Sequence, residues 1–250
     1  MTDYSVIDYS VDGAVASICL KRPEKLNAID PAMVTELNAA MDTAEADAAV
    51  RAIILRGEGR AFSAGFDLSV EDPNGENSAE FWREELQRDF DVIMRFWNSP
   101  KPTVAAVHGY CLGSAMEMAV ACDITVAAEG CRFGAPEVKF GSGIVALLLP
   151  WIVGPKASKE LLLTGDDKVS AERAEALGLV NRVVAAENLL AEAARFAEQL
   201  AANDLTAVRL TKQAINHSYR IMGMPQALAE ALEFDVTIES TPSENTQDSQ

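Results

Sequence analysis

Apolar residues recur along this chain with two periods, and the period changes from segment to segment. Over residues 1–20 apolar and polar positions alternate, and Asp12-Gly13 breaks the alternation, which predicts two strands joined as a hairpin. Asp30-Pro31 then supplies an N-cap and a first-turn proline, and Met33, Leu37, Ala40, Met41 and Ala44 follow at helical spacing. Residues 52–55 form a short aliphatic run that reads as a buried strand, and 57–65 a loop of small residues. Residues 71–78 (EDPNGENS) are polar and turn-prone and read as a mobile excursion. A long helix is predicted over 79–97, a buried strand over 103–107, a helix from near Gly113, a strand over 123–128 and a helix over 144–153. Residues 170–178 read as a short helix with a serine cap and a C-terminal glycine, and 180–184 as a last strand.

From about residue 186 the pattern is helical only, with breaks near Asn203-Asp204 and at Gly223-Met224-Pro225. Strands alternating with helices predict an α/β unit with mainly parallel pairing. The division expected is a core over 1–190 and a helical region over 191–250, whose last eight residues, SENTQDSQ, read as a flexible tail.

Composition narrows the partners. The 250 residues are 49% hydrophobic and 24% charged, enough apolar material for a sizeable core. Against 38 acidic residues stand 21 Lys plus Arg, a formal net charge of −17, which disfavours nucleic acid and anionic membrane. An anionic small ligand would need a locally basic site or backbone N–H groups. Cys19, Cys111, Cys122 and Cys131 have no CxxC spacing and, with only His108 and His217, no metal site is expected. The thiols read as buried and reduced. No basic-then-apolar leader and no run of 18 apolar residues is seen, so a soluble cytoplasmic protein is expected.

Three chemistries compete for the motifs. Neither GxGxxG after a strand nor GxxxxGK[ST] occurs, which weakens nucleotide folds. Gly109-Tyr-Cys-Leu-Gly113 has the form of a nucleophile elbow around Cys111, but the only later histidine, His217, lies in a helical pattern. The third is a carbonyl-polarising site. A helix opening at Gly113-Ser114 after a strand presents unpaired N–H groups and the positive end of its dipole. Glu117 lies one turn along on the same face, among flanks too apolar for a surface position. Glu137 follows in a Phe-Gly-Ala-Pro-Glu loop; alone it would be an ordinary loop acid, but two carboxylates about one substrate can divide base and acid work.

The chain resembles the crotonase (enoyl-CoA hydratase/isomerase) superfamily over nearly its whole length. The resemblance rests on Arg22-Pro-Glu-Lys-Leu-Asn-Ala28, Phe62-Ser-Ala-Gly-Phe-Asp-Leu68, His108 to Glu117 followed by Ala121-Cys-Asp-Ile124, and Phe133-Gly-Ala-Pro-Glu137. It implies a spiral of ββα turns with a C-terminal helical trimerisation region. It implies an acyl-CoA thioester substrate, no cofactor beyond the coenzyme A carried by that substrate, and a homotrimer or dimer of trimers. By position, Phe66 and Ser114, with Gly113, would form the oxyanion hole, and Glu117 and Glu137 would be catalytic. Arg22, Lys25, Leu26, Ala28, Ala64, Gly65, Asp67 and Leu68 would meet the coenzyme A moiety. Lys101 and Lys139 are further cations for its phosphates.

Two departures qualify the match. Ser114 stands where the family usually has glycine, and Ile144-Val145 replace a Pro-Gly pair near the acyl pocket. Retention of both glutamates favours reversible syn hydration of a 2-enoyl-CoA, with an isomerase or another acyl-CoA lyase or hydrolase as the alternative. A non-catalytic acyl-CoA-binding relative is the remaining reading.

Overall fold

A computed structural model of the chain describes residues 4–67, 69 and 78–241. The alternating N-terminal segment forms β1 (Ile7–Asp12) and β2 (Val15–Leu20), paired antiparallel with Asp12 opposite Val15. Gly13 makes the turn at φ +57°, in the left-handed region that favours glycine. In α1 (Pro31–Ala46) the Asp30 carboxylate accepts the N–H of Met33 at 2.8 Å, and the apolar residues expected at helical spacing are all buried.

Strand β3 (Ala52–Gly57) lies parallel to β2, and α2 (Ala79–Asn98) begins where the Ser78 hydroxyl accepts from Phe81 N. The expected excursion at 71–78 falls, apart from Ser78, outside the described residues. Then β4 (Thr103–Val107) turns through Gly109 into β5 (Tyr110–Leu112) and α3 (Ser114–Ala121). The unit repeats as β6 (Ile124–Ala128), β7 (Arg132–Gly134), α4 (Leu149–Ile152) and α5 (Gly154–Thr164). After β8 (Val169–Ser170), α6 (Ala171–Leu177) and β9 (Arg182–Val184) come α7 (Leu189–Ala202), α8 (Leu205–Ile221) and α9 (Met224–Glu239).

The main sheet runs β1-β2-β3-β4-β6-β9 and is parallel from β2 onward; a second sheet runs β5-β7-β8. Successive strand, strand, helix turns between the two sheets build the crotonase-like spiral. The central strands β3, β4 and β6 are buried on both faces, which explains their nearly continuous apolar runs. Ile53 and Leu55 face the larger core with α1, α2 and α3, while Ala52 and Ile54 face α7.

Helix α7 lays Leu189, Ala193, Ala197 and Ala201, four residues apart, on the sheet. Those small residues admit a close approach. The part of the chain assigned from sequence to the helical region thus begins with a helix that packs on the sheet itself. The final helix, α9, packs on α2 and α8. Among the described residues no helix is long and apolar enough to cross a membrane.

The helix expected over 144–153 is reduced to Leu149–Ile152. The physical reason lies at Pro150, which has no N–H to give to the carbonyl of Ala146 and is tolerated only in a first turn, so the helix opens at Leu149. The chain before it stays irregular, and there the N–H of Ala146 is given to the carboxylate of Glu117.

Candidate active site

Two backbone N–H groups converge because two loops are forced together. Residues 61–66 run between β5, tied by the bridge Ser63↔Cys111, and the chain leading into α1, tied by Ile29↔Phe66. Asn27 fixes this loop from beneath. It is fully buried at φ +54°, and its amide nitrogen lies 2.9 Å from Glu58 O, 2.9 Å from Ala61 O and 3.2 Å from Phe62 O. Its side-chain oxygen accepts the N–H of Arg22 at 2.8 Å. Gly65 takes φ +96°, and a Cβ on it would stand 3.0 Å from Leu112 O and 3.4 Å from Ser114 N.

Ile29 N donates to Gly65 O and Asp67 N donates to Ile29 O, both at 2.9 Å, which leaves the N–H of Phe66 without a partner among the described residues. The N–H of Ser114, the first residue of α3, is likewise unpartnered there, as the geometry of a helix N-terminus dictates. Phe66 and Ser114 line one cavity of about 390 Å³ together with Ala64, Gly65, Asp67, Gly113, Glu137 and Val145.

Glycine is required at 113 on two counts. It caps α3 at φ +57°, and the carboxylate of Glu137 packs where its side chain would be. Glu137 opens a short 3-10 turn, Glu137–Phe140, and its Oε2 is buried without a partner among the described residues. Burial pushes its carboxyl up to about 7.

Glu117 is 1% exposed and sits one turn into α3, where both carboxylate oxygens accept from Ala146 N, at 3.1 and 3.2 Å. Burial holds its pKa well above the usual carboxylate range. The charge of Glu137 adds to that rise, and the Ala146 N–H opposes it. The wall of the cavity includes Glu137 but not Glu117, which lies behind it. The charge of Glu137 bears on Glu117, so the two carboxyls titrate as a coupled pair. With the N–H pair they can polarise a carbonyl oxygen, deprotonate a water and protonate a carbon.

Other expected residues fall elsewhere. Val145 lines the cavity and Ile144 does not. Arg22 contributes a clamp rather than a free cation: it pairs with Asp30 and Asp67, each at 3.2 Å, and donates to Ala28 O at 2.6 Å. It thereby ties the 22–28 loop to the 61–67 loop, with Leu26 at φ +52° in the bend. Lys25 is exposed and without an ion-pair partner among the described residues. Lys101 is buried and its ammonium donates to Ala44 O at the end of α1, so it serves the fold. Lys139 pairs with Asp167, a residue of the cavity wall, at 3.3 Å. Leu68 lies outside the described residues.

Cys111 is fully buried, and desolvation first of all raises its thiol pKa well above normal, which removes the nucleophile-elbow alternative. All four cysteines are buried and free.

Sequence reasoning missed the far wall, which α2 and α9 supply through Trp82, Glu85, Asp89, Asp235 and Glu239. A signal was present: Leu228, Leu232, Asp235 and Val236 share the inward face of α9, so an acid stands on an apolar stripe.

The comparisons with known proteins agree with this architecture. Residues 10–248 match the sequence pattern of the enoyl-CoA hydratase/isomerase family. A crystal structure of an enoyl-CoA hydratase/isomerase from Xanthobacter autotrophicus Py2 superposes with a TM-score of 0.94 at 52% identity, covering 97% of this chain and 90% of that one. A provisionally named enoyl-CoA hydratase from Thermus thermophilus is 43% identical over 209 residues, 81% of either chain. The mitochondrial enoyl-CoA hydratase of Pongo abelii is 33% identical over 213 residues, 84% of this chain and 71% of its own. The chain belongs to the enoyl-CoA hydratase/isomerase family.

Proposed function

We propose that the protein is an enoyl-CoA hydratase, adding water reversibly and syn to a 2-enoyl-CoA thioester. The observation that carries the reading is the meeting of two unpartnered N–H groups, on Phe66 and Ser114, with two buried carboxyls, Glu117 and Glu137. The thioester oxygen accepts from both N–H groups, and the N-terminus of α3 adds its dipole. A water loses a proton to Glu117 as its oxygen bonds to the β-carbon. The electron pair of the double bond moves toward the thioester oxygen. Glu137 then gives a proton to the α-carbon, so the pair of glutamates ends with the proton count it began with. Burial and the charge of Glu137 hold the proton on Glu117, and the Ala146 N–H is a smaller opposing influence that favours the charged form the base role needs.

The reading needs no cofactor beyond the coenzyme A of the substrate. It places the enzyme in the cytoplasm and as a homotrimer or dimer of trimers. The exposure of Leu210, Ile215, Ile221 and Met222 on the C-terminal helical region supports a subunit contact there. Lys25, which lies in the 22–28 loop without an ion-pair partner among the described residues, and Lys139, two residues after Glu137, are assigned to the coenzyme A phosphates.

One observation favours a second reading. Only Glu137 of the two acids lines the cavity, and a single acid can move a proton between two carbons, as an enoyl-CoA isomerase requires. Product analysis separates the two. A hydratase converts a 2-enoyl-CoA to a 3-hydroxyacyl-CoA and loses that activity in Glu117→Gln. An isomerase converts a 3-enoyl-CoA to its 2-enoyl isomer and retains that activity in Glu117→Gln.

A further inference from the structure

The proposed chemistry employs Glu117 and Glu137 and leaves a third buried carboxyl unused. Asp235, on α9, is 2% exposed, and neither of its oxygens has a hydrogen-bond partner among the described residues. Left so, a buried carboxyl is costly, and such a group in a cavity wall calls for a ligand. It lines the same cavity as Phe66, Ser114 and Glu137. Its oxygen packs on the Cα of Gly143, where no larger residue fits; the N–H of Gly143 makes its hydrogen bond to Glu239 at 3.2 Å and only tempers the Asp235 carboxyl from nearby.

Gly143 lies on the segment that runs from Glu137 to Ala146, the residue holding Glu117. Asp235 therefore stands next to the reacting groups, on the side walled by α2 and α9. Across from it, α2 offers Trp82 and Asp89 seven residues apart on one face, and the indole N–H of Trp82 is buried and unpartnered as well. Burial pushes the carboxyls of Asp89 and Asp235 up to about 7, with neighbouring acids adding to the shift. Among the described residues no Lys, Arg or His lines the cavity.

We propose that this end of the cavity is a subsite for an acyl chain bearing a hydroxyl group, whose O–H donates to the carboxylate of Asp235. The inference rests on the reading of the cavity as an acyl-CoA site. A hydroxyl both donates and accepts, and so answers the orphaned oxygens of Asp235 and the orphaned N–H of Trp82. An ammonium only donates. A terminal carboxylate meets several acids and no cation. A plain alkyl tail leaves Asp235 buried and unpaired, the situation in which a site rejects an analogue lacking its polar group.

The test is calorimetric binding of saturated acyl-CoAs to the full-length protein, in a series of chain lengths, each with a methyl, hydroxyl, ammonium or carboxylate end. At one length the hydroxyl form is expected to bind at least about tenfold tighter than the methyl form. Asp235→Leu should abolish that preference, Asp235→Asn should keep part of it, and Trp82→Phe should reduce it. The Asn and Phe variants, close in shape to the parent, keep the test open if the Leu variant fails to fold. The proposal is overturned if the methyl form binds as well at every length, if the ammonium or carboxylate form binds tightest, or if all variants keep the preference. With chains of four or more carbons the terminal hydroxyl is not the 3-hydroxyl of the hydration product, so binding involves neither hydration nor dehydration and the two claims fail separately. Loss of preference with tight binding removes only the hydroxyl subsite, whereas no binding of any acyl-CoA removes the site reading and this proposal with it.

Discussion

Both carboxylate oxygens of Glu117 accept the backbone N–H of Ala146, at 3.1 and 3.2 Å, and this contact ties α3 to the irregular segment before α4. The contact fixes where that segment passes the acid. It also determines how the acids titrate, because the Ala146 N–H works against a rise driven by burial and by Glu137.

A pH profile of kcat/KM should therefore be bell-shaped. The reactive form holds one proton on the pair of glutamates, and burial moves Glu137 to about 7 and Glu117 well above its ordinary value. Activity should rise as pH passes about 7 and fall again at higher pH, where the second proton leaves. An ordinary carboxylate limb near 4.5, measured on wild type, would contradict this.

Ser114→Pro tests the N–H donor without disturbing the helix. Position 114 is the first residue of α3, where proline is tolerated and where the N–H has no intrahelical acceptor. Loss of one oxyanion donor should lower kcat by about 10²–10³-fold, roughly 3–4 kcal/mol, with thermal stability retained. Ser114→Gly keeps the N–H and should stay within about tenfold of wild type in kcat. Steady-state kinetics with an enoyl-CoA checks both.

The contrast between these residues and the rest of the site explains what the sequence made legible. Gly113, Ser114 and Glu117 lie within five residues, and helical spacing alone puts the acid one turn from the N–H groups. The hairpin, α1 and α2 were legible for the same reason, since caps and periodicity are local. The pairing of Arg22 was not, because Asp67 lies 45 residues away and the contact exists only once two loops meet. The far wall depends on α9 closing over α2 late in the chain. Asp89 and Asp235 stand on the apolar stripes of their helices, but the cavity they face exists only once that contact forms.

Asn27 is the keystone of the 61–66 loop. Asn27→Ala leaves the buried carbonyls of Ala61 and Phe62 without their donor, and should cost about 2–3 kcal/mol of stability. It also frees the loop that aims the N–H of Phe66, so kcat should fall more than KM rises. Denaturant unfolding and kinetics on the same preparation measure the two effects.

Glu137→Gln should be more stable than wild type at neutral and alkaline pH. The folded-state pKa of about 7 lies above the ordinary 4.5, so the folded form binds the proton more tightly. That stabilisation is complete below about 4.5 and is lost as pH rises through 7. The difference from the uncharged variant should therefore grow across this window and level off, at up to roughly 3 kcal/mol. Thermal melts of both proteins across this pH range would show curves that stay parallel if the shift is absent.

The most direct test of the hydratase reading is the conversion of crotonyl-CoA to 3-hydroxybutyryl-CoA by wild type, Glu117→Gln and Glu137→Gln, with folding of each verified. Wild type should hydrate the substrate, and each glutamine variant should be slower by about 10²-fold or more. The account is contradicted if wild type binds a panel of 2-enoyl-CoAs but leaves them unhydrated, or if either variant hydrates at the wild-type rate.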